Sequence, residues 1–274
     1  MSSRCVPAAV LMLLARAAFA MDIATCGVSV PSGEIGTLTA DLACAPGDLH
    51  AVALEDRATL ALNGHTISNP GGFGSGAAVR CFGHCAIDGP GTISGAPARE
   101  FDGIRADASI ITHRSLRLDV HDVTVDATTI GIEGNVGRGA ALRATNLTVT
   151  NSLLYGVYVP KVTAVELTAT GNRIGVYAAS LRATTLEASN NSSYGVYAVR
   201  RLRAEGLTAT NNGEEGVRAD RTLRLVDSTV VGNDAAGEGI DIEDGRAPRL
   251  ENTTCGRSAM LEAPADDWNV CAGD

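Results

Sequence analysis

From about residue 140 onward, apolar and polar positions alternate in short runs, and the runs recur. In "RLRAEGLTAT" (201–210), Leu202, Ala204, Leu207 and Ala209 can share one side while Arg203 and Thr208 take the other. In the preceding "GVYA", Val196 and Ala198 point inward and Tyr197 outward. Alternation over four to six residues, rich in Val and Thr, is the pattern of a half-buried strand. After the N-terminal segment, no run of ten or more residues carries a helical stripe.

The strands come in units. Gly-Val or Gly-Ile pairs begin at Gly103, Gly131, Gly156, Gly175, Gly195, Gly216 and Gly239, the last five spaced 19, 20, 21 and 23 apart. Asn151, Asn172, Asn191, Asn212 and Asn233 keep step at 21, 19, 21 and 21. A period near 20 with two or three strands per unit describes one coil of a parallel β-helix, in which stacking buries what a single coil cannot. A leucine-rich repeat has a similar period, but its helical segment would here be "NSSYGVYAVRR", which is β-prone and carries glycine. Recurrent Asn suits a bent turn whose amides stack into a ladder. Earlier units, such as "TLALNGHTIS" and "CAIDGPGTIS", are longer at 25 to 28 residues, so loops such as "NPGGFGSGAA" should protrude. These spacings predict nine to ten coils in one all-β solenoid. Residues 46–254 form the β-helix, with 21–45 and 255–274 as caps over sheet edges that would otherwise template aggregation.

Composition narrows the picture. Apolar residues make up 45% but aromatics only 4%, so the core must be Val, Ile, Leu and Ala. The net charge of −9, with no basic block, argues against a nucleic-acid partner. Residues 1–20 read as a signal peptide, with Arg4, an apolar run from Val6 to Leu14 and Ala18-Phe19-Ala20 as cleavage site. No later stretch is long and apolar enough for a membrane span. A secreted or periplasmic monomer is expected. Beyond Cys5 there remain Cys26, Cys44, Cys81, Cys85, Cys255 and Cys271, an even number suited to disulfides in an oxidising compartment. Six cysteines allow 15 pairings; the simplest joins neighbours, and "CFGHC" (81–85) could alternatively be a metal-binding fragment.

Taken together, "LALNGHTIS", "DGPGTISG", the "GVY…LTATNN" coils and the closing "DDWNVCAGD" resemble secreted right-handed parallel β-helix repeat proteins of the pectin-lyase-like superfamily. The resemblance implies a right-handed solenoid. Its members include pectate lyases, polygalacturonases, uronan epimerases and proteins without established activity, so it implies no single reaction. Of the polygalacturonase motifs, only "EFDGIRAD" around Asp102 is echoed, and the epimerase pattern Tyr-Gly-Phe-Asp-Pro-His-Asp is missing.

The outward position after each Gly-Val pair reads Arg105, Glu133, Tyr158, Tyr177, Tyr197, Arg218 and Asp241. Neighbouring strands lie about 4.8 Å apart, comparable to one sugar unit. Tyr158, Tyr177 and Tyr197, with Arg105, are therefore candidate substrate-binding residues for a polysaccharide, and Glu133, Arg218 and Asp241 are candidate catalytic groups. Stacked tyrosines can also simply stabilise a parallel sheet. A second outward row, Arg143, Thr163, Arg182, Arg203 and Arg224, either grips an acidic polymer or is salt-bridged by Glu166, Glu205 and Asp227. Glu215, Glu238, Asp241, Glu243 and Asp244 form an acidic group that could serve acid–base chemistry, hold Ca²⁺ or only solubilise the chain. No residue is assigned as a metal ligand. The expected function is binding or processing an extracellular, acidic polysaccharide, by a lyase or glycoside hydrolase if it is an enzyme. The alternative is a non-catalytic structural or surface-interaction protein.

Overall fold

The computed structural model describes residues 20–45, 48–69, 76–95, 102–107, 116–134 and 139–272. The expected signal peptide, apart from Ala20, and most of the "NPGGFGSGAA" loop lie outside them. The described residues form strands and turns without helix. Successive coils pair in parallel, and among the described residues the one antiparallel pair joins Ser258–Met260 to Ala263–Asp267 at the C-terminal end. The solenoid has about eight turns, slightly fewer than the sequence spacing suggested.

Each coil contributes to three faces. The first runs through Ile130–Gly134, Tyr155–Tyr158, the starts of Ile174–Glu187 and Val196–Thr210, then Val217–Ala219 and Ile242–Asp244. The second and third follow within the same coils, as the two halves of Ala141–Thr150 and Lys161–Thr170. Inside, like residues stack: Leu142, Val162, Leu181, Leu202 and Leu223 in one column, Val157, Val176, Val196, Val217 and Ile242 in another, all buried. Each such side chain contributes about 1.5–3 kcal/mol when fully buried, and only a neighbouring coil can bury it.

The two sequence anchors, Gly and Asn, turn out to be parts of one feature. Asn172, Asn191, Asn212 and Asn233 are buried beside the first face. The Oδ1 of each accepts the backbone N–H of the residue one coil earlier: Ser152 to Asn172 at 2.9 Å, Asn172 to Asn191 and Asn191 to Asn212 at 3.0 Å, Asn212 to Asn233 at 3.1 Å. Each Nδ2 also donates to a carbonyl in the coil before, as Asn212 does to Ala188 at 2.9 Å. The aligned glycines leave room for these amides. A Cβ on Gly156, Gly175, Gly195 or Gly216 would stand 2.5–2.9 Å from the Nδ2 of Asn172, Asn191, Asn212 or Asn233.

Two details differ from the sequence expectation. Asn151 is not on this ladder; it is exposed, with φ 56°, and Ser152 takes the ladder position. The left-handed turn belongs to the residue before each ladder amide, namely Gly171, Asn190, Asn211 and Gly232, with φ between 56° and 69°. The ladder ends on Asp241, whose Oδ1 accepts Asn233 N and Nδ2 at 3.0 and 2.8 Å. Its Oδ2 accepts Gly256 N at 2.8 Å and Arg257 N at 3.3 Å.

The third face carries a column of threonines with one glutamate: Thr66, Thr92, Thr124, Thr148, Thr168, Glu187, Thr208, Thr229 and Thr254 in register. Thr suits this place because its branched Cβ fits a pleated surface while its hydroxyl stays hydrated. The cysteines pair as neighbours, Cys26–Cys44, Cys81–Cys85 and Cys255–Cys271. The sulfurs of "CFGHC" are thereby committed to a disulfide rather than a metal.

Because Asp241 receives four N–H groups and donates none, Asp241→Asn must set an amide N–H₂ against two donors. Leaving such buried groups unsatisfied costs about 1–3 kcal/mol each, so the urea midpoint should fall clearly. An unchanged midpoint would contradict the ladder's terminal role.

Candidate functional site

The outward row of the first face is in register as Arg80, Arg105, Glu133, Tyr158, Tyr177, Tyr197, Arg218 and Glu243. Six of the expected positions hold. The last does not: Asp241 lies two residues earlier, buried in the amide ladder, and Glu243 takes its place. The pair Gly239-Ile240 resembles the other Gly-Val pairs but sits in an expanded coil, where the true counterpart of Val217 is Ile242. Asp241 is therefore not available to a ligand on this face.

The tyrosine column is wider than a single row. Tyr155 and Tyr194 sit three residues before Tyr158 and Tyr197, and their rings join the strip. Ring centroids lie 4.8 Å apart for Tyr155–Tyr158, 5.7 Å for Tyr155–Tyr177, 5.3 Å for Tyr158–Tyr177, 5.0 Å for Tyr177–Tyr197 and 5.5 Å for Tyr194–Tyr197. The rings are half-buried, so faces and edges remain open to solvent. Arg218 closes the strip, its guanidinium 5.1 Å from the Tyr197 ring and 5.7 Å from Tyr194. Burial pushes the Tyr158 and Tyr177 hydroxyls above their ordinary range, with neighbouring tyrosines adding to it.

Charged clusters stand at both ends. At the N-terminal end, Arg105 meets Glu133 at 3.1 Å, Asp107 at 3.0 Å and Asp102 at 3.7 Å, while Arg80 holds Asp107 at 2.7 Å. Asp102 is buried, and its carboxyl is pushed up to about 8, first by burial and then by its hydrogen bond to Glu133 and that group's charge. A second carboxyl so close favours the protonated form of Asp102. At the C-terminal end, Arg218 meets Glu243 at 2.8 Å and Asp220 at 3.9 Å, and its Nη1 donates to the Tyr194 hydroxyl at 3.4 Å. Burial is the main cause that raises Glu215 to about 7, with Glu243 adding to it. The two ends are separate, because Glu133 and Arg218 are four strand spacings apart, about 19 Å.

Of the acidic group read from the sequence, Glu215 and Glu243 come together at Arg218, and the other members go elsewhere. Glu238 pairs with Arg257 at 3.4 Å, Asp241 caps the ladder, Glu243 turns to Arg218, and Asp244 points into the core beneath. Burial raises Asp244 to about 7, offset in part by the backbone N–H groups of Arg246, Gly245 and Leu223. Among the described residues, the only close set of three metal-type ligands is Cys26, Cys44 and Asp48, and its sulfurs form a disulfide. Asp102, Tyr155, Tyr194 and Asp107 were not singled out as site residues. For the tyrosines the signal was present, since both "YGVY" units carry two.

No protein-family model and no curated protein matches the chain. Among solved structures it is similar to the A-module of a mannuronan C-5 epimerase from Azotobacter vinelandii. The TM-score is 0.55 at 17% identity, covering 86% of this chain and 84% of that one, so the likeness is one of fold. The enzymatically active domain of tailspike protein 2 from bacteriophage CBA120 aligns with a TM-score of 0.44 at 11% identity, over 89% of this chain and 43% of that one. The coil register, the buried ladder and this likeness lead to one statement: the chain is a parallel β-helix protein with the right-handed solenoid fold.

Proposed function

We propose that this protein is exported and acts on an extracellular acidic polysaccharide laid along the tyrosine strip. The observation that carries the reading is the strip itself: five rings in mutual contact, ending on an arginine that stacks on two of them. Aromatic faces suit the apolar faces of sugar rings. Arg218 supplies the fork that pairs with a uronate carboxylate. The three disulfides agree with an oxidising compartment. The fold likeness to a module of a polysaccharide-modifying enzyme agrees with the substrate class.

Glu133 and Arg218, at opposite ends, cannot act on one bond. Inverting or retaining hydrolysis needs two carboxyl groups roughly 5–9.5 Å apart across a glycosidic bond, whereas Asp102 and Glu133 are in direct hydrogen-bond contact. The chemistry best matched is removal of the proton next to a uronate carboxylate. At the C-terminal end Arg218 neutralises the carboxylate, Glu215 takes the proton from the carbon beside it, and as the new C=C bond forms the glycosidic C–O bond breaks, a tyrosine hydroxyl giving its proton to the departing oxygen. Glu133, beside Asp102 and ion-paired with Arg105, stands at the other end of the strip, next to a different sugar unit. Asp241 has no part in it. A non-catalytic role has one observation in its favour, the contact of the rings with each other.

Tyr177→Ala separates these readings. Weakening of polyuronate binding by at least tenfold supports a sugar platform. A loss of thermal stability with unchanged affinity would support packing alone. Activity on polyuronate should rise with pH through about 7 as Glu215 ionises, and Glu215→Gln should abolish it. A flat profile, or an active Glu215→Gln variant, would remove Glu215 as the base.

Asp102 makes a prediction about stability. Its folded pKa of about 8 lies above the ordinary 3.8, so the folded state keeps a proton that the unfolded state loses between those values. Its contribution to stability therefore falls as pH rises from about 4 to 8. Asp102→Asn should gain on the natural protein over that window, measured by denaturant titration at several pH values. A constant difference would contradict the raised Asp102 value.

A further inference from the structure

The second face bears a line of guanidinium groups that the proposed reaction does not use. Arg182, Arg203, Arg224 and Arg249 are partners in successive coils, and the same column continues through Thr163 to Arg143. All five arginines are exposed. Lys161 and Arg201 add cations two residues away on the same strands. From Arg143 to Arg249 the row covers five strand spacings, about 24 Å.

The carboxylates expected to neutralise the row do not. Glu166 and Asp227 occupy left-handed turns, with φ 58° and 48°, and Asp227 accepts a hydrogen bond from Asn252. Glu205 makes no ion pair among the described residues. Arg224 touches Glu251 at 3.5 Å, with both groups exposed; Arg143, Arg182, Arg203 and Arg249 have no ion-pair partner among the described residues. Like charges at strand spacing repel, and in a chain of net charge −9 this row is a local concentration of positive charge. Arg182, Arg203 and Arg224, with Glu205, line a shallow groove of about 180 Å³, and Arg224 also lines another of about 720 Å³ with Arg249 and Glu251.

We infer that this row is a second binding site, for an extended polyuronate chain, distinct from the tyrosine strip. The class of polymer rests on the function proposed above; the charge and geometry of the row stand without it. A straight line of forks, one per coil, matches a polymer with one carboxylate per sugar unit in extended form. Each guanidinium can take a carboxylate in a two-pronged contact. Single-stranded nucleic acid is favoured less, because its proteins add aromatic stacking platforms and this row has no aromatic residue. Duplex phosphates follow a helical path that a straight row meets at few points. The site would hold a long chain, or a second chain, while the tyrosine face acts.

The row can be removed without disturbing the coil, since Thr163 already occupies the same column. The test is Arg182→Thr/Arg203→Thr/Arg224→Thr, measured by calorimetry at several salt concentrations. The probes are polymannuronate and polygalacturonate of defined length, with dextran and a single-stranded oligodeoxynucleotide as controls. The variant should melt like the natural protein and bind long polyuronate at least tenfold more weakly. Its plot of log affinity against log salt should be shallower by roughly two to three, reflecting fewer released counterions. Unchanged affinity and slope would overturn the site, as would tighter binding of the oligonucleotide than of either uronate. Tyr177→Ala distinguishes the two faces. If the triple variant loses binding and Tyr177→Ala does not, the row stands and the tyrosine reading fails; the opposite pattern keeps the tyrosine reading and removes the row.

Discussion

The buried amide hydrogen bond from one coil to the next is the constraint on which this structure depends. A parallel solenoid has a weak point: each strand could slide along its neighbour, and a one-residue slip would turn its whole inward set outward. The Oδ1 of Asn191, Asn212 and Asn233 allows no such slip. Each accepts both the backbone N–H and the Nδ2 of the residue one coil back, or in Asn191 the backbone N–H of Asn172. Misplacing it would strand several buried polar groups. The glycines that open each first-face strand exist in this role because nothing larger leaves room for the amide.

The proposed function rests on that register. Once Val157, Val176, Val196 and Val217 are aligned inward, the next residue in each coil must align outward. Three tyrosines and an arginine become a continuous strip rather than isolated side chains. The same lock, passed along the coil, lines up four arginines on the second face. A solenoid thus converts one residue per repeat into a linear array at strand spacing. An array at that spacing suits a polymer better than a small molecule.

Much of this was legible in the sequence because the repeat is short and regular. From Asn172 to Asn233 the period varies by only two residues, so inward and outward positions could be read directly, and the simplest of the cysteine pairings, neighbour with neighbour, is the one the structure has. The sequence failed where the period changes. In "GNDAAGEGIDIEDG" the coil lengthens, a Gly-Ile pair appears two residues early, and Asp241 was read as outward when it ends the buried ladder. Asn151 misled for the opposite reason: its type matched, but its neighbour Ser152 held the position. The Asp102–Glu133 pair was hidden because it joins coils of irregular length, where the row steps 28 residues from Arg105 to Glu133. No periodic signal reports that kind of contact.

The central claim is that an acidic polysaccharide lies along the column that the amide ladder aligns. A crystal structure with a short polyuronate tests it most directly. The account predicts sugar units stacked on Tyr158, Tyr177 and Tyr197, about one per coil, with a carboxylate on the Arg218 guanidinium. An oligosaccharide bound elsewhere, with the tyrosine strip bare at saturating ligand, would contradict it.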